Sequence, residues 1–201
     1  MNKVLKSISF FFHPLIMPLL GVIFYFSKSP RYIPIDIIKA KLISLFILTI
    51  ILPILLFFLL KTLGKVKTIY LETTRERILP LLLNCIVVLL VLNRIITPNQ
   101  IIELYYFFVG ILISTLTCLI LVILKFKASL HMVSVAGVLM FFIALSIHFS
   151  ININGTLALL FIIIGAIATS RLHLQAHTFI ELIIGFFIGL IPQLILLKYW
   201  L

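Results

Sequence analysis

Apolar residues run through this chain in long uninterrupted stretches, broken at intervals by short polar ones. The stretches do not alternate residue by residue, as strands would. Several match the roughly 20 residues that a helix needs to cross about 30 Å of hydrocarbon. Seven segments predict spans: 8–27, 41–60, 80–97, 101–124, 131–149, 156–170 and 178–198. The third and sixth are short for the task. The pattern predicts an all-α fold, a polytopic transmembrane helical bundle of six to seven spans, as a single domain over 1–201. The first stretch, MNKVLKSISFFFHPLIMPLLGVIFYF, is basic and then apolar, like a signal peptide. Pro14 and Pro18 interrupt it and no small-x-small cleavage site follows, so it reads as a retained first span.

Composition sharpens this picture. Of 201 residues, 64% are hydrophobic and only 10% are charged, and the mean hydropathy is +1.36. A soluble domain is about a quarter charged. So little polar surface cannot cover a globule in water, and an integral membrane protein follows. The net charge is +11, from 16 basic and five acidic residues. The basic residues cluster between apolar stretches, where lipid headgroups and topology account for them, and no nucleic-acid partner is expected. Cys85 and Cys118 lie inside apolar stretches and read as small buried hydrophobes.

Three polar stretches carry candidate chemistry: 61–79, 125–130 and 170–177. Two predicted spans separate each from the next, so all three emerge on one face of the membrane. Lys and Arg number ten on that face and six on the other. Setting aside Arg75, Arg77 and Arg171 as phosphate ligands leaves seven against six, which does not orient the protein.

The last stretch begins SRLHLQAHTFIELIIG, from Ser170 to Gly185. On a continuous helix His173, His177 and Glu181 would fall at i, i+4 and i+8, one above another. Gly185 and Gly189 would continue near that face and admit a neighbouring helix. Glu181 is the one acid placed well inside a predicted span. A carboxylate there requires a partner, and His177 is the nearest. A satisfied structural pair is the plain alternative. Arg171 adds a guanidinium suited to bidentate phosphate contact, or to anchoring at headgroups.

The other two stretches are weaker alone. Lys127, Ser129 and His131 stand at the start of a span, where a lone histidine is usually an interfacial anchor. Arg75 and Arg77 precede a span expected to begin near Pro80, where basic residues usually set topology. Together the three stretches supply two histidines, a carboxylate, a serine and several cations on one face. Cations neutralise a phosphate, a carboxylate-oriented histidine can attack phosphorus, and a second histidine can protonate the departing oxygen. Fixed positive charge can stabilise the transition state, so neither metal nor other cofactor is expected. His13 and His148 read as structural.

Here the chain resembles the type 2 phosphatidic acid phosphatase superfamily. The last signature of that family is Ser-Arg, five residues, His, three residues, Asp. Ser170, Arg171 and His177 match it, with Glu181 in place of the Asp. Ala128 to His131, ASLH, resembles the family's Pro-Ser-Gly-His, with Ser129 and His131 matching. RERILP resembles a degraded Lys, six residues, Arg-Pro, with Arg77 or Arg75 as its arginine. The resemblance covers about 65–189. It implies His177 as the nucleophile, Glu181 as its orienting group and His131 as the general acid. Arg171, Arg77 or Arg75, and Ser129 would hold the phosphate, with Lys127 beside them. The implied substrate is a lipid phosphate or pyrophosphate: undecaprenyl pyrophosphate or another polyprenyl pyrophosphate, phosphatidic acid or phosphatidylglycerol phosphate. The implied setting is a bacterial inner membrane with an extracytoplasmic site. Two alternatives remain open. His173, His177 and Glu181 could bind zinc with His131 in a metal-dependent hydrolase. An inactive relative could bind or translocate a phospholipid.

Overall fold

The structure is a computed structural model that describes residues 2–68, 71 and 73–201, the side chains of residues 2–6 excepted. Glu72, within the polar stretch 61–79, and the side chains of Lys3 and Lys6, counted above for topology, lie outside the described residues. The described residues form helices and no strand. They are α1 (Asn2–Phe11), α2 (Met17–Lys28), α3 (Ile35–Thr62), α4 (Thr74–Arg94), α5 (Ile102–Ile123), α6 (Leu130–His148), α7 (Asn154–His173) and α8 (Phe179–Leu196). A 3-10 turn, Leu197–Tyr199, extends α8. Among the described residues, the six helices from α3 to α8 are long and apolar enough to cross a membrane.

The first apolar stretch is therefore not the single span its composition predicts. It breaks between Phe11 and Met17 into helices of ten and 12 residues. Pro14 lacks the N–H that a continuing helix would need, and the residue before a proline is driven out of the helical region. Pro18 causes no such break, because it sits in the first turn of α2, where backbone N–H groups have no helical partner anyway. In α3 the proline is accommodated differently. Pro53 follows a π-helical turn, Ile47–Ile51, and the Thr49 hydroxyl donates back to the Leu45 carbonyl at 2.8 Å.

Helix α4 begins six residues before the expected start near Pro80. Thr73 is its N-cap and accepts from the Glu76 N–H at 3.4 Å. Arg75 and Arg77 are thus helical. The C-termini of α5, α6 and α7 are each followed by a residue with left-handed φ: Lys125 at 64°, Ser150 at 51° and Gln175 at 51°. These terminate the helices and reverse the chain over very few residues.

Helix α6 is the most buried span, while α3 and α7 are mostly exposed along their lengths. The closest packing is between α6 and α8 and between α4 and α5, and α1 lies on α7. Phe107 of α5 stacks on Phe141 of α6 at 4.2 Å between ring centroids, inside the largest apolar cluster. Cys85 and Cys118 are buried free thiols, in keeping with their apolar surroundings in sequence.

Candidate active site

The site grows from the first turn of α8. Thr178 is the N-cap and Glu181 the third helical residue, and the two form a reciprocal capping box. The Thr178 hydroxyl accepts from the Glu181 N–H at 3.3 Å, and Glu181 Oε2 accepts from the Thr178 N–H at 3.0 Å. The same oxygen lies 2.8 Å from Nδ1 of His177. A carboxylate only accepts, so Nδ1 carries the proton and Nε2 keeps its lone pair. Burial pushes the His177 pKa below its ordinary value. The Glu181 contact opposes this, and the charges of Arg77 and Arg171 reinforce it. Burial and the two cations thus favour the neutral ring, and the Glu181 contact fixes its orientation.

The expected stripe of His173, His177 and Glu181 does not form. Helix α7 ends at His173, Gln175 turns the chain, and α8 starts at Phe179. His173 is exposed on the last turn of α7, whereas His177 is buried ahead of the next helix. The donors of the zinc alternative are therefore not brought together. Among the described residues no three His, Cys, Asp or Glu side chains are grouped to hold a metal ion.

The three polar stretches do meet. His177, Arg171, His131, Lys127 and Arg77 all line one cavity of about 1260 Å³. The His131 ring thus shares one wall with Arg171 and His177. Arg77 is 6% exposed, and its guanidinium is fixed by donating from Nε to the Leu71 carbonyl at 2.9 Å and from an Nη to the Ala128 carbonyl at 3.3 Å. Below this polar mouth the cavity wall turns apolar, with Leu60, Val87, Phe107 and Phe108. One continuous space thus joins charged and apolar walls.

Three sequence candidates do not line the cavity: Glu181, which reaches it through His177, Arg75 and Ser129. Arg75 is exposed and does not line the cavity, because it lies two residues from Arg77 on α4 and so points elsewhere. Ser129 is fully buried, makes no side-chain hydrogen bond among the described residues and does not line the cavity. Its contribution is through the backbone, where its N–H donates to the Glu181 carbonyl at 3.1 Å.

Two contributors escaped the sequence reading: Ser9 was not singled out, and His13 was read as structural. Helix α1 and the turn after it place Ser9 and His13 on the cavity wall. The His13 ring meets the His131 ring edge-on at 5.6 Å. Burial, and then the charge of Arg171, lowers the His13 pKa. The signal was present in the His13–Pro14 interruption of the first apolar stretch, which reads as a kink as readily as a break.

A second polar cluster lies at the opposite ends of the spans. Glu103, in the first turn of α5, has no exposed surface. Its carboxylate lies 2.7 Å from Arg31 and 3.2 Å from His148, and accepts from the Tyr25 hydroxyl at 3.2 Å. His148 is thus structural, as its sequence position suggested. Glu181 is not the single acid committed to the bundle interior.

No protein-family model, curated protein or solved structure matches this chain.

Proposed function

We propose that this protein is a metal-independent membrane phosphatase that hydrolyses a lipid phosphate or pyrophosphate through a phosphohistidine. The reading is carried by one observation: His177, oriented by Glu181 at 2.8 Å, shares a cavity with Arg77, Arg171 and His131. It agrees with the resemblance to the type 2 phosphatidic acid phosphatase superfamily that SR, His177 and ASLH carry.

The headgroup phosphate sits between Arg77, Arg171 and Lys127, whose charges offset its own. His177 Nε2 attacks phosphorus, and the bond from phosphorus to the lipid oxygen breaks. That oxygen takes the proton from His131, leaving as a lipid alcohol, or as a lipid monophosphate when the substrate is a pyrophosphate. Glu181 stabilises the positive imidazole of the intermediate. Water then attacks phosphorus, His131 accepts its proton, the P–N bond breaks, and inorganic phosphate departs. The apolar lower cavity receives the start of the tail. By the same resemblance, we place the protein in a bacterial inner membrane with this site on the periplasmic face.

The test is phosphate release by the purified protein over a panel of polyprenyl pyrophosphates, phosphatidic acid and phosphatidylglycerol phosphate, with His177→Ala as the blank. Wild type should turn over at least one of them and form an acid-labile phosphohistidine that His177→Ala lacks. Equal release by the two proteins, when both have the same thermal unfolding profile, would refute the assignment.

A further inference from the structure

The proposed chemistry needs the His131 N–H for the departing oxygen, yet that N–H is already engaged. Nε2 of His131 donates to the backbone carbonyl of Ser9 at 3.0 Å, across 122 residues of sequence. Ser9 is buried, and its hydroxyl lies 2.8 Å from that of Ser170, the neighbour of Arg171 on the last turn of α7. Both contacts come from α1, which joins the bundle through the Pro14 turn. Helix α1 also carries Phe10 and Phe11, 73% and 69% exposed, at the edge of the cavity. The helix thus seats a buried serine on the site and presents exposed aromatic rings suited to the lipid interface.

We infer that α1 is a lid whose Ser9 carbonyl occupies the place of the departing lipid oxygen. This rests on the phosphatase reading of the same site. While the Ser9 carbonyl holds Nε2, the Nε2–H is closed to a leaving group, so lid and substrate compete for that ring position. In the closed chain the general acid is held in reserve and the mouth is covered. In the open chain, Phe10 and Phe11 sink into the interface and His131 faces the headgroup. The Pro14 turn is the hinge, since the helix is already broken there.

The test locks the lid shut in the full chain. The Ser9 and Ser170 oxygens are in contact, so Ser9→Cys with Ser170→Cys sets two thiols within reach of a disulfide. Cys85 and Cys118 are buried and stay apart from this pair. Diamide forms the bond and dithiothreitol breaks it. The oxidised double variant should turn over at least about tenfold more slowly than the same protein reduced, as expected where a lid gates turnover. Neither single variant should respond to oxidant. Full cross-linking, verified by thiol counting, with no loss of rate would overturn the lid. If the cysteines silence the reduced protein, maleimide labelling of Ser9→Cys alone decides. Orthovanadate, which fills a phosphate site, should speed labelling by displacing the carbonyl, and an unchanged labelling rate would overturn the lid. Wild-type protein run in parallel separates the two ideas. If it releases no phosphate from any substrate of the panel, the phosphatase reading fails and the lid falls with it. If wild type turns over while the locked variant keeps pace, the lid alone is wrong.

Discussion

The N–H of Ser129 donates to the backbone carbonyl of Glu181, 3.1 Å away, and ties the start of α6 to the first turn of α8. His131 and His177, proposed as acid and nucleophile, stand two and four residues from this tie. Their relative position is set by how closely the two helices approach. Gly185 and Gly189 permit that approach. A Cβ on Gly185 would stand 2.8 Å from the Ser129 carbonyl, and one on Gly189 would collide with the Val133 carbonyl.

Gly189→Ala should therefore push α8 off α6 and lower stability by about 1–3 kcal/mol, the usual range for overpacking. Gly165→Ala on α7 meets open space. It should be neutral or raise stability by up to about 1 kcal/mol, because alanine loses less backbone freedom in a helix. Thermal unfolding of both variants in one detergent makes the comparison. Equal profiles would show that the α6–α8 seam is looser than the structure has it.

Glu181 both caps α8 and orients His177. Glutamine can still fill the capping position but carries no charge. Glu181→Gln should fold normally and lose about 10²–10⁴-fold in kcat, the range for acid–base assistance. Glu181→Asp is one methylene shorter. It should lose the reach to both Thr178 and His177, and with it some stability as well as rate. Circular dichroism with phosphate-release kinetics separates the two effects, and a fully active Glu181→Gln would remove Glu181 from the chemistry.

The lowered pKa of His177 gives a pH dependence with a definite sign. The nucleophile must be neutral, and burial with Arg77 and Arg171 keeps it neutral below the ordinary histidine value of 6.5. The acid limb of kcat/KM should thus lie below pH 6.5. Stability follows the same sign. The unfolded chain binds this proton more readily, so the contribution is complete above pH 6.5 and is lost as pH falls toward the folded value. Arg171→Gln removes one opposing charge and should move the acid limb upward. An acid limb at or above 6.5 in wild type would contradict this environment for His177.

Arg77 and Arg75 are two residues apart and should differ sharply. Arg77→Lys loses the fork held between Leu71 and Ala128, and activity should fall by about 10²-fold or more, as when one preorganised donor is removed. Arg75→Ala touches an exposed side chain outside the cavity and should keep turnover within about twofold, as surface substitutions do. Steady-state kinetics on the preferred lipid decides between them.

At the far ends of the spans, Glu103→Ala should act on stability and leave the chemistry alone. It strips the acceptor from the Tyr25 hydroxyl and from His148, at a cost of about 1–3 kcal/mol for the buried Tyr25 and less for the partly exposed His148. Arg31 is 45% exposed and regains water, so its share is small. The variant should unfold at lower temperature with an unchanged kcat below that transition. A fall in kcat in the folded protein would couple the two ends of the bundle.

The helical bundle was legible in the sequence because spanning a membrane is a local demand. Each helix must satisfy its own backbone and offer enough apolar residues, and both are visible within one stretch. The shared face of the three polar stretches followed from counting spans between them. The pairing of His177 with Glu181 followed from their four-residue spacing. What tertiary structure decided are contacts between residues that no local period links. The chain breaks at Pro14 and α1 folds onto α7, so Ser9 reaches His131. The reversal at Gln175 takes His173 away from His177. The rotation of α4 turns Arg77 inward and Arg75 outward. Glu103 finds partners 45 to 78 residues away. Buried polar groups must find some partner, and composition states that need without naming who meets it. Only the packing of distant helices supplies the answer.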